Sequence, residues 1–466
     1  MSLKLYNTLS REIENFYTLN GDKNVKMYSC GPTVYSNPHI GNMRAYVFTD
    51  LLKRVLISNG YSVFNAINIT DVGHLTSDAD EGEDKLEREA KKTGRNAYEI
   101  AEFYSNVFFK DIDKLNLLPA NIYPKATEHI LEQIEMISVL EQKGFTYTID
   151  DGVYFNTAKF KTYADFAKIN IEGLDSGNRV EVNKQKINKT DFALWKFSEK
   201  KESRQMEWDS PWGVGFPGWH AECSAMILKH LGEQIDIHTG GVDHISVHHT
   251  NEIAQTESTT GKKFSNFWLH VNFLQLKDLK SEDGELMKMS KSMGNVLTIS
   301  GLENEGYDPM VVKYFYLMSH YRSELQFNFD ILSSVKSSFV RLQERIRLVK
   351  ESAVKEQSSD VFNQMVTELN NDLNTPKVIA MLHESLASNL NFDQKLKIIN
   401  FIENAMGLSF DIKVEMIPEE VMKIAEDRLI AKKNKDFGKS DSLRKLIEDK
   451  GYVVKDNGIS FELIKK

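Results

Sequence analysis

The sequence predicts an α/β protein: a Rossmann-like domain with a parallel sheet, split by an insertion, then a helical bundle and a small C-terminal α+β module. Strand and helix patterns alternate in the first part of the chain, and a polar stretch interrupts them. From about residue 308 onward, apolar residues recur every three or four positions, as in helices. We place the split domain at 1–124 and 206–320, the insertion at 125–205, the bundle at 321–410 and the module at 411–466.

A strand–helix–strand unit opens the split domain. Residues 25–30 are short and β-compatible, and residues 43–59 carry apolar side chains at helical spacing. Gly60 stands where a glycine commonly follows a helix, and residues 61–71 return as a strand rich in β-branched and aromatic residues. Such a unit has parallel strands joined by a right-handed crossover, and its ligands bind beyond the carboxyl ends of the strands.

The sequence HIGN, from His39 to Asn42, lies at the start of the crossover helix. Free backbone N–H groups and the helix dipole favour an anion at that position, and a phosphate group is the natural ligand. A solvated turn with a capping Asn42 explains this stretch equally well when it is considered alone.

The insertion has a pattern of its own. An amphipathic helix is predicted after Lys125, followed by a hairpin around Asp151 and Gly152. Residues 173–190 are polar and predict a loop. After the insertion, the sequence QIDIHTGG predicts a buried strand that ends in a glycine pair.

Composition limits the classes of protein to consider. Hydrophobic residues make up 41% and charged residues 27% of the 466 positions, as in soluble globular proteins. The N-terminal stretch lacks a signal-peptide core, and no run of eighteen apolar residues occurs, so we expect no membrane span. Two cysteines favour a reducing cytoplasm over a disulfide framework.

Charge is unevenly distributed along the chain. The formal net charge is -9, which gives no general attraction to nucleic acid. Residues 421–466, however, hold twelve Lys/Arg against eight Asp/Glu, a local net charge of +4. A solvated charged face is the simplest explanation of this excess.

Four residues have the side chains of a zinc site. They are Cys30, Cys223, His248 and Glu252, and the last two share one helix face because they are four apart. His249 is three residues from Glu252, so periodicity does not choose between the two histidines. The local signal is weak, since distant cysteines are commonly small buried apolar residues.

The stretch GELMKMSKSMGN contains Lys288 and Lys291 between two glycines. Two lysines three apart on such a loop can close over a polyphosphate and neutralise the charge that develops as pyrophosphate leaves. A solvated basic loop is the alternative. The combination of KMSKS with HIGN at the start of a helix after the first strand of the sheet is highly specific.

With these motifs the chain resembles the class I aminoacyl-tRNA synthetases. The stretches CGPTVY, DFALWK, PGWHAECSAM, HHTNEIAQ and DLNTP resemble the cysteine-specific branch, the cysteinyl-tRNA synthetases. The resemblance covers essentially the whole chain and implies that the split domain is catalytic. It also implies that the helical region and the C-terminal module carry tRNA, the module at the anticodon end.

The resemblance also implies roles for individual residues. It assigns the metal ligands, Cys30, Cys223, His248 and Glu252, and so selects His248 over His249. Four residues become catalytic candidates: His39, Asn42, Lys288 and Lys291. ATP contacts are implied for Lys291, His39, Gly240, Gly241 and Asp243, and Trp219 is implied to line the cysteine pocket.

The implied reaction is the ATP-dependent attachment of L-cysteine to tRNA(Cys) through cysteinyl-adenylate. One Zn²⁺ per chain would bind the substrate thiolate, which soft-ligand chemistry distinguishes from the hydroxyl of serine. ATP would be bound with Mg²⁺. A monomeric, cytoplasmic enzyme without membrane contact is implied.

Two other functions stay open from the sequence. A cysteine ligase that transfers cysteinyl-adenylate to an amino sugar would share the first half of the chain, although the helical region and basic module argue against it. A non-catalytic zinc- and RNA-binding paralogue is a further alternative, which the intact KMSKS argues against. The chain departs from the usual family pattern at Asn42, Thr239 and Thr250, and the acidic segment 71–85 has no assigned role.

Overall fold

The computed structural model describes residues 2–73, 84–168, 183–198, 204–276, 297–350, 361–411, 418–457 and 460–465. The chain divides into two compact units, 1–410 and 411–466. Lys288 and Lys291 lie outside the described residues, as do His74 and most of the acidic segment 71–85.

The first unit contains twelve described strands and twelve described α-helices. The strands are β1 (Lys4–Asn7), β2 (Glu12–Asn15), β3 (Asn24–Ser29), β4 (Ser62–Ile67), β5 (Thr146–Ile149), β6 (Gly152–Phe155), β7 (Phe192–Phe197), β8 (Gly215–Pro217), β9 (Ile235–Gly241), β10 (Ser265–Val271), β11 (Leu274–Leu276) and β12 (Leu325–Phe327). The helices are α1 (Ile40–Ser58), α2 (Lys85–Thr93), α3 (Ala97–Lys114), α4 (Ile130–Gln142), α5 (Trp219–His230), α6 (His248–Thr260), α7 (Ile299–Asn304), α8 (Pro309–Leu317), α9 (Phe329–Lys350), α10 (Val361–Leu369), α11 (Thr375–Ala387) and α12 (Phe392–Met406).

A four-stranded parallel sheet forms the centre of the first unit, in the order β10-β9-β3-β4. The predicted strand–helix–strand unit is confirmed as β3, α1 and β4, and the predicted buried strand as β9. The chain passes from β3 to β4 in one direction across the sheet and from β9 to β10 in the other. The carboxyl ends of β3 and β9 therefore meet where the strand order reverses, the position at which open α/β sheets bind ligands.

Apolar side chains along one face of helix α1 hold it in place. Its buried side chains include Met43, Val47, Leu51 and Val55, which recur at intervals of four and belong to the main hydrophobic core. Gly60, with φ +80°, follows its last turn in the left-handed region that favours glycine. The helix therefore packs on the sheet along its length and presents its first turn at the carboxyl ends of the strands.

The inserted region forms an antiparallel sheet in the order β5-β6-β7-β8 beside α4. The hairpin predicted around Asp151 and Gly152 is the β5–β6 pair. The sheet continues to Pro217, twelve residues beyond the predicted end of the insertion at residue 205, because β8 pairs with β7. The glycines and prolines around β8 are typical of turns, so the sequence pattern does not predict this short edge strand.

The motif DLNTP forms a buried corner at the start of the helical region. Asp372 and Leu373 both have positive φ, at 58° and 56°. The Asp372 carboxylate accepts hydrogen bonds from the backbone N–H of Tyr6 (2.9 Å), the hydroxyl of Tyr321 (2.6 Å) and the guanidinium of Arg322 (2.7 Å). These contacts offset the strain of left-handed backbone at two non-glycine residues and tie the bundle to the N-terminal strand.

The second unit consists of α13 (Glu419–Lys433), α14 (Phe437–Asp449) and a hairpin of β13 (Tyr452–Asn457) and β14 (Ser460–Lys465). Its core includes Val421, Ala425 and Ile447. The Asp456 carboxylate accepts two hydrogen bonds from Arg428 (2.7 and 2.9 Å) and one from Lys432 (2.8 Å). One carboxylate therefore joins the hairpin to α13.

Candidate active site

A cavity of about 430 Å³ opens at the carboxyl ends of the central strands. The loop after β3, the first turn of α1, the start of α5 and the segments after β9 and β10 all contribute to its wall. Seven residues assigned from the sequence line it: Cys30, His39, Asn42, Trp219, Gly240, Gly241 and Asp243. Sequence positions 30 to 243 thus converge on one space.

Beneath this cavity lies a polar cluster of Cys30, Cys223, His248 and Glu252. One ligand atom from each of the four lies within 4.8 Å of the others. Cys223, His248 and Glu252 are buried, whereas Cys30 is half-buried and also lines the cavity. Because α6 begins at His248, the predicted four-residue spacing places His248 and Glu252 on one helix face, directed at the loop that holds Cys30.

The donor atoms of this cluster lie close enough together to bind one metal ion. Oε1 of Glu252 lies 2.7 Å from Nε2 of His248, yet among the described residues this buried oxygen has no hydrogen-bond partner of acceptable geometry. Two thiols, an imidazole and a carboxylate are ligand types that zinc accepts in proteins. Converging donor atoms with unsatisfied lone pairs are what such an ion requires.

Electrostatics at the cluster favour a positive charge. Burial by itself lowers the pKa of His248, but the Glu252 carboxylate and the Cys223 sulfur raise this pKa to about 10. Burial raises the pKa of Glu252, yet the neighbouring His238 and His248 hold it below its usual range. A hydrogen bond with Cys30 lowers the pKa of the Cys223 thiol. A carboxylate and a thiol, each with a lowered pKa, therefore lie where a cation is stabilised.

A second combination of ligands overlaps the first. Cys30, His238, His249 and Glu252 also offer ligand atoms within 4.8 Å of one another. Nε2 of His238 lies 2.6 Å from Oε2 of Glu252, and Nε2 of His249 lies 3.2 Å from Sγ of Cys30. The structure therefore brings both His248 and His249 to the cluster, and only the set with His248 includes both thiols.

Two histidines of the central strands that lie at this site were missed by the sequence reasoning. His238 in β9 stacks on Trp268, with ring centroids 4.5 Å apart, and His270 in β10 bonds Nδ1 of His249 at 2.8 Å. Burial and neighbouring histidines lower the pKa of both His249 and His270 well below the usual range. A histidine inside each of two strands with long apolar stretches was the available signal.

The HIGN turn forms a reciprocal cap on α1. Nδ1 of His39 accepts a hydrogen bond from the Asn42 backbone N–H (3.0 Å), and Oδ1 of Asn42 accepts one from the His39 backbone N–H (3.2 Å). This is a capping box in which His39 and Asn42 replace the usual Ser/Thr and Glu. The capping role left open for Asn42 therefore exists, and both side chains still line the cavity.

The glycine pair after β9 allows close packing at the cavity wall. A Cβ on Gly240 would lie 2.7 Å from ring atoms of His244 and His249, and one on Gly241 would lie 2.2 Å from the Asp243 carboxylate. The Thr239 hydroxyl donates to Ser29 Oγ (2.8 Å) and lies 3.4 Å from the Thr49 hydroxyl of α1. Its hydroxyl is thus engaged inside the sheet–helix interface, and Thr239 does not line the cavity.

Trp219 connects the cavity to the cluster. It begins α5, and its ring centroid lies 4.5 Å from that of His248 at an interplanar angle of 31°. The same helix carries Cys223 one turn later. A substrate that fills the cavity beside Trp219 would therefore lie close to the cluster.

Solved structures share this architecture. The structure of Mycobacterium tuberculosis methionyl-tRNA synthetase bound by methionyl-adenylate matches with a TM-score of 0.57 at 13% identity, over 83% of this chain and 93% of that chain. A second structure of that protein in complex with methionyl-adenylate gives a TM-score of 0.52 at 14% identity, over 87% of this chain and 84% of that one. The chain therefore shares the fold of these two synthetase structures.

Sequence comparison is more specific. The family model described as "tRNA synthetases class I (C) catalytic domain" matches residues 16–337, and the chain belongs to this family. The protein named Cysteine--tRNA ligase 1 from Burkholderia lata is 43% identical over 461 residues, 98% of this chain and 95% of that protein. The Cysteine--tRNA ligase of Treponema denticola is 39% identical over 492 residues, 98% of each.

No helix among the described residues is both long and apolar enough to cross a membrane.

Proposed function

We propose that this protein attaches L-cysteine to tRNA(Cys) in an ATP-dependent reaction, with cysteinyl-adenylate as the intermediate. The observation that carries the proposal is the buried cluster of Cys30, Cys223, His248 and Glu252 directly beneath the cavity that the HIGN turn lines. The names and near-complete coverage of the two curated relatives support the same activity.

Cys30, Cys223, His248 and Glu252 would hold one Zn²⁺. When bound, the ion supplies a soft Lewis acid that selects a thiolate over a hydroxyl. Trp219 forms the adjacent wall and limits the size of the side chain that enters. Because Cys30 is half-buried on the cavity wall while the other three ligands are buried, the open side of the cluster faces the substrate.

In the first step, a carboxylate oxygen of cysteine attacks the α-phosphorus of ATP, and the bond to the bridging oxygen breaks as pyrophosphate leaves. The chain provides positioning and charge stabilisation without a protein nucleophile. His39, Asn42 and the N-terminus of α1 bind phosphate oxygens, and Gly240, Gly241 and Asp243 bind the nucleoside. Lys288 and Lys291 neutralise the charge of the leaving pyrophosphate. ATP would enter the site with Mg²⁺ bound to its phosphates.

In the second step, a terminal ribose hydroxyl of tRNA attacks the carbonyl carbon of the adenylate. The ester bond forms, AMP leaves, and the hydroxyl proton passes to solvent or phosphate. We assign the split domain to both chemical steps, and the helical region and residues 411–466 to binding the tRNA body and its anticodon end. We also propose that the protein acts as a monomer in the cytoplasm.

Cysteine-dependent exchange of pyrophosphate into ATP, followed by charging of tRNA(Cys), tests the proposal. We expect exchange with cysteine, none above background with serine, and transfer to tRNA. Exchange without tRNA charging but with transfer to an amino sugar would favour the small-molecule ligase. Absence of exchange in zinc-loaded protein that binds tRNA would favour a non-catalytic paralogue. Sedimentation velocity measures the oligomeric state.

A further inference from the structure

One buried cation beside the cavity has no role in the reaction described above. Arg44 lies on α1, two residues after Asn42, and is 3% exposed. Its Nη1 donates to the carbonyl oxygens of Asn272 (2.8 Å) and Phe273 (2.6 Å). Its Nη2 donates to those of Ser323 (2.7 Å) and His320 (3.3 Å).

Among the described residues, the hydrogen bonds of this guanidinium all go to backbone carbonyls. No carboxylate of the described residues forms a salt bridge with Arg44, whereas the half-buried Arg54 of the same helix pairs with Asp50 at 2.9 Å. Burial lowers the pKa of Arg44 to about 10, so the guanidinium remains charged at neutral pH. A buried charge without a counterion is costly unless its hydrogen bonds are well made, so the four carbonyls are held firmly in place around the fork.

The carbonyls that Arg44 holds belong to the wall of the cavity. Asn272 and Phe273 line it directly and follow β10, whose last residue, Val271, pairs with Gly241. This wall therefore extends the edge that carries Gly240 and Gly241. The cysteine side of the cavity, at Cys30 and Trp219, is formed by other segments.

The 320–323 turn braces the same wall from behind. The Asn272 backbone N–H donates to Tyr321 O (2.8 Å), the Asn272 side chain donates to Arg322 O (2.9 Å), and the Leu325 N–H donates to Phe273 O (3.0 Å). The guanidinium lies between two segments that are already hydrogen-bonded to each other. Its fork links both of them to α1.

The first turn of α1 makes a second connection of this kind. The Ile40 N–H donates to Leu297 O at 2.8 Å, and the Tyr316 hydroxyl donates to Ile40 O at 2.7 Å. Phe273 leads into β11 immediately before residues 277–296 in the sequence, and Leu297 follows them. The turn that contains His39 and Asn42 is thereby linked to the described chain on both sides of that stretch.

We propose that Arg44 is a positioning residue for the ATP half of the site: it fixes the Asn272–Phe273 wall against the first turn of α1, and so sets the distance between the nucleoside side and the HIGN turn. The inference rests on the proposed function and deepens it. Arg44 touches no substrate and acts through the backbone that it holds.

The test compares Arg44→Gln and Arg44→Lys with wild type in cysteine-dependent pyrophosphate exchange. Gln removes the charge and the fork, and we expect kcat to fall about 10- to 100-fold, with a KM for ATP at least fivefold higher, because a misplacement on the order of 1 Å has this scale of effect. The KM for cysteine should stay within about twofold. Lys keeps the charge but not the planar fork, so it should recover part of kcat.

Arg54→Gln is the matched control. Arg54 lies ten residues along the same helix and donates to the Asp50 carboxylate and to the carbonyls of Asn404 (3.1 Å) and Asn116 (2.9 Å), away from the cavity wall. We expect it to lower the thermal unfolding midpoint without changing the KM for ATP. Calorimetric binding of a non-hydrolysable ATP analogue to the wild-type, Arg44→Gln, Arg44→Lys and Arg54→Gln proteins measures the same difference without turnover.

Arg44 would be only a structural brace if both Arg44 variants lowered the unfolding midpoint but kept wild-type KM for ATP, kcat and analogue affinity. Equal increases in the KM for ATP and for cysteine would likewise overturn a role confined to the ATP half. A wild-type protein without cysteine-dependent exchange would contradict the proposed function instead, and analogue binding would still decide the role of Arg44.

Discussion

The buried cluster of the first unit and the charged surface of the second unit acquire their properties in opposite ways. Cys30 is far in sequence from Cys223 and Glu252, and the order of the central strands brings their ligand atoms within 4.8 Å. In the second unit, Asp456 meets Arg428 and Lys432 across 28 and 24 positions, through one helix and one hairpin. Because the cluster is buried, a change of one ligand atom should alter metal binding there. In the second unit, the proposed tRNA binding should depend on the summed charge of many exposed side chains.

Part of the excess positive charge of the second unit is already used inside that unit. Residues 421–466 carry a net charge of +4, but Arg428 and Lys432 are already paired with Asp456 inside the unit. The tRNA phosphate contacts that we propose for this unit are therefore expected at other cations, such as exposed lysines of α13 and α14. Four predictions test the comparison, beginning with the largest expected effect.

Cys223→Ser should abolish zinc binding, which depends on the four ligands meeting in one cluster. We expect zinc content to fall from about one per chain to near zero and cysteine activation to fall at least about 100-fold, because a serine hydroxyl is a hard, weakly acidic ligand. Elemental analysis and pyrophosphate exchange measure the two effects. Ser224→Ala on the same buried turn of α5 is the control and should keep its zinc. Full zinc content in Cys223→Ser would show that the cluster is not the metal site.

Lys291→Ala tests whether activation also needs a cation from residues 277–296. The rate of adenylate formation should fall on the order of 10²-fold, as for loss of one transition-state electrostatic contact. Zinc content should not change, which separates this effect from that of Cys223→Ser. Lys262→Ala removes an exposed lysine paired with Glu233 and should leave the rate unchanged. Near-normal exchange in Lys291→Ala would remove this lysine from the mechanism.

Truncation after Asp411 removes the second unit and should separate tRNA binding from activation. This position keeps Leu408 and Phe410, which are buried in the core of the first unit. Pyrophosphate exchange should stay within about twofold, while the KM for tRNA rises several-fold and depends less steeply on salt, since fewer phosphates are neutralised. If the truncated and full-length proteins charge tRNA equally at moderate salt, the positive charge of the second unit is only a solvated face.

Asp456→Asn should produce the smallest effect, confined to the second unit. Hydrogen bonds from Arg428 and Lys432 hold the pKa of Asp456 below its usual value near 3.8. The carboxylate therefore stabilises the fold above about pH 4, and this stabilisation is lost as the pH falls further. At pH 7 we expect a loss of about 1 kcal/mol, within the range of exposed ion pairs.

Hydrogen exchange of α13 amides in the full chain measures this local loss. The difference between Asp456→Asn and wild type should shrink below pH 4, and the exposed Asp427→Asn should show no comparable change. A difference that persists unchanged at pH 3 would mean that the carboxylate charge is not the cause.

Local patterns in the sequence determined several elements of this protein. The alternation of strands and helices predicted β3, α1 and β4, and the Asp151-Gly152 turn predicted the β5–β6 hairpin. The spacing of His248 and Glu252 predicted that they share a helix face. These features depend on residues close in sequence, whose geometry follows from the repeat of one helix or one strand.

Only the tertiary structure decided which distant residues meet. The order β10-β9-β3-β4 places the loop with Cys30 beside α5 and α6, and adds His238 and His270 from neighbouring strands. Pairing of β8 with β7 extended the inserted sheet, and the four carbonyls around Arg44 come from two segments more than 220 positions further along the chain. Contacts of this kind depend on sheet order and burial, which the period of a local pattern does not encode.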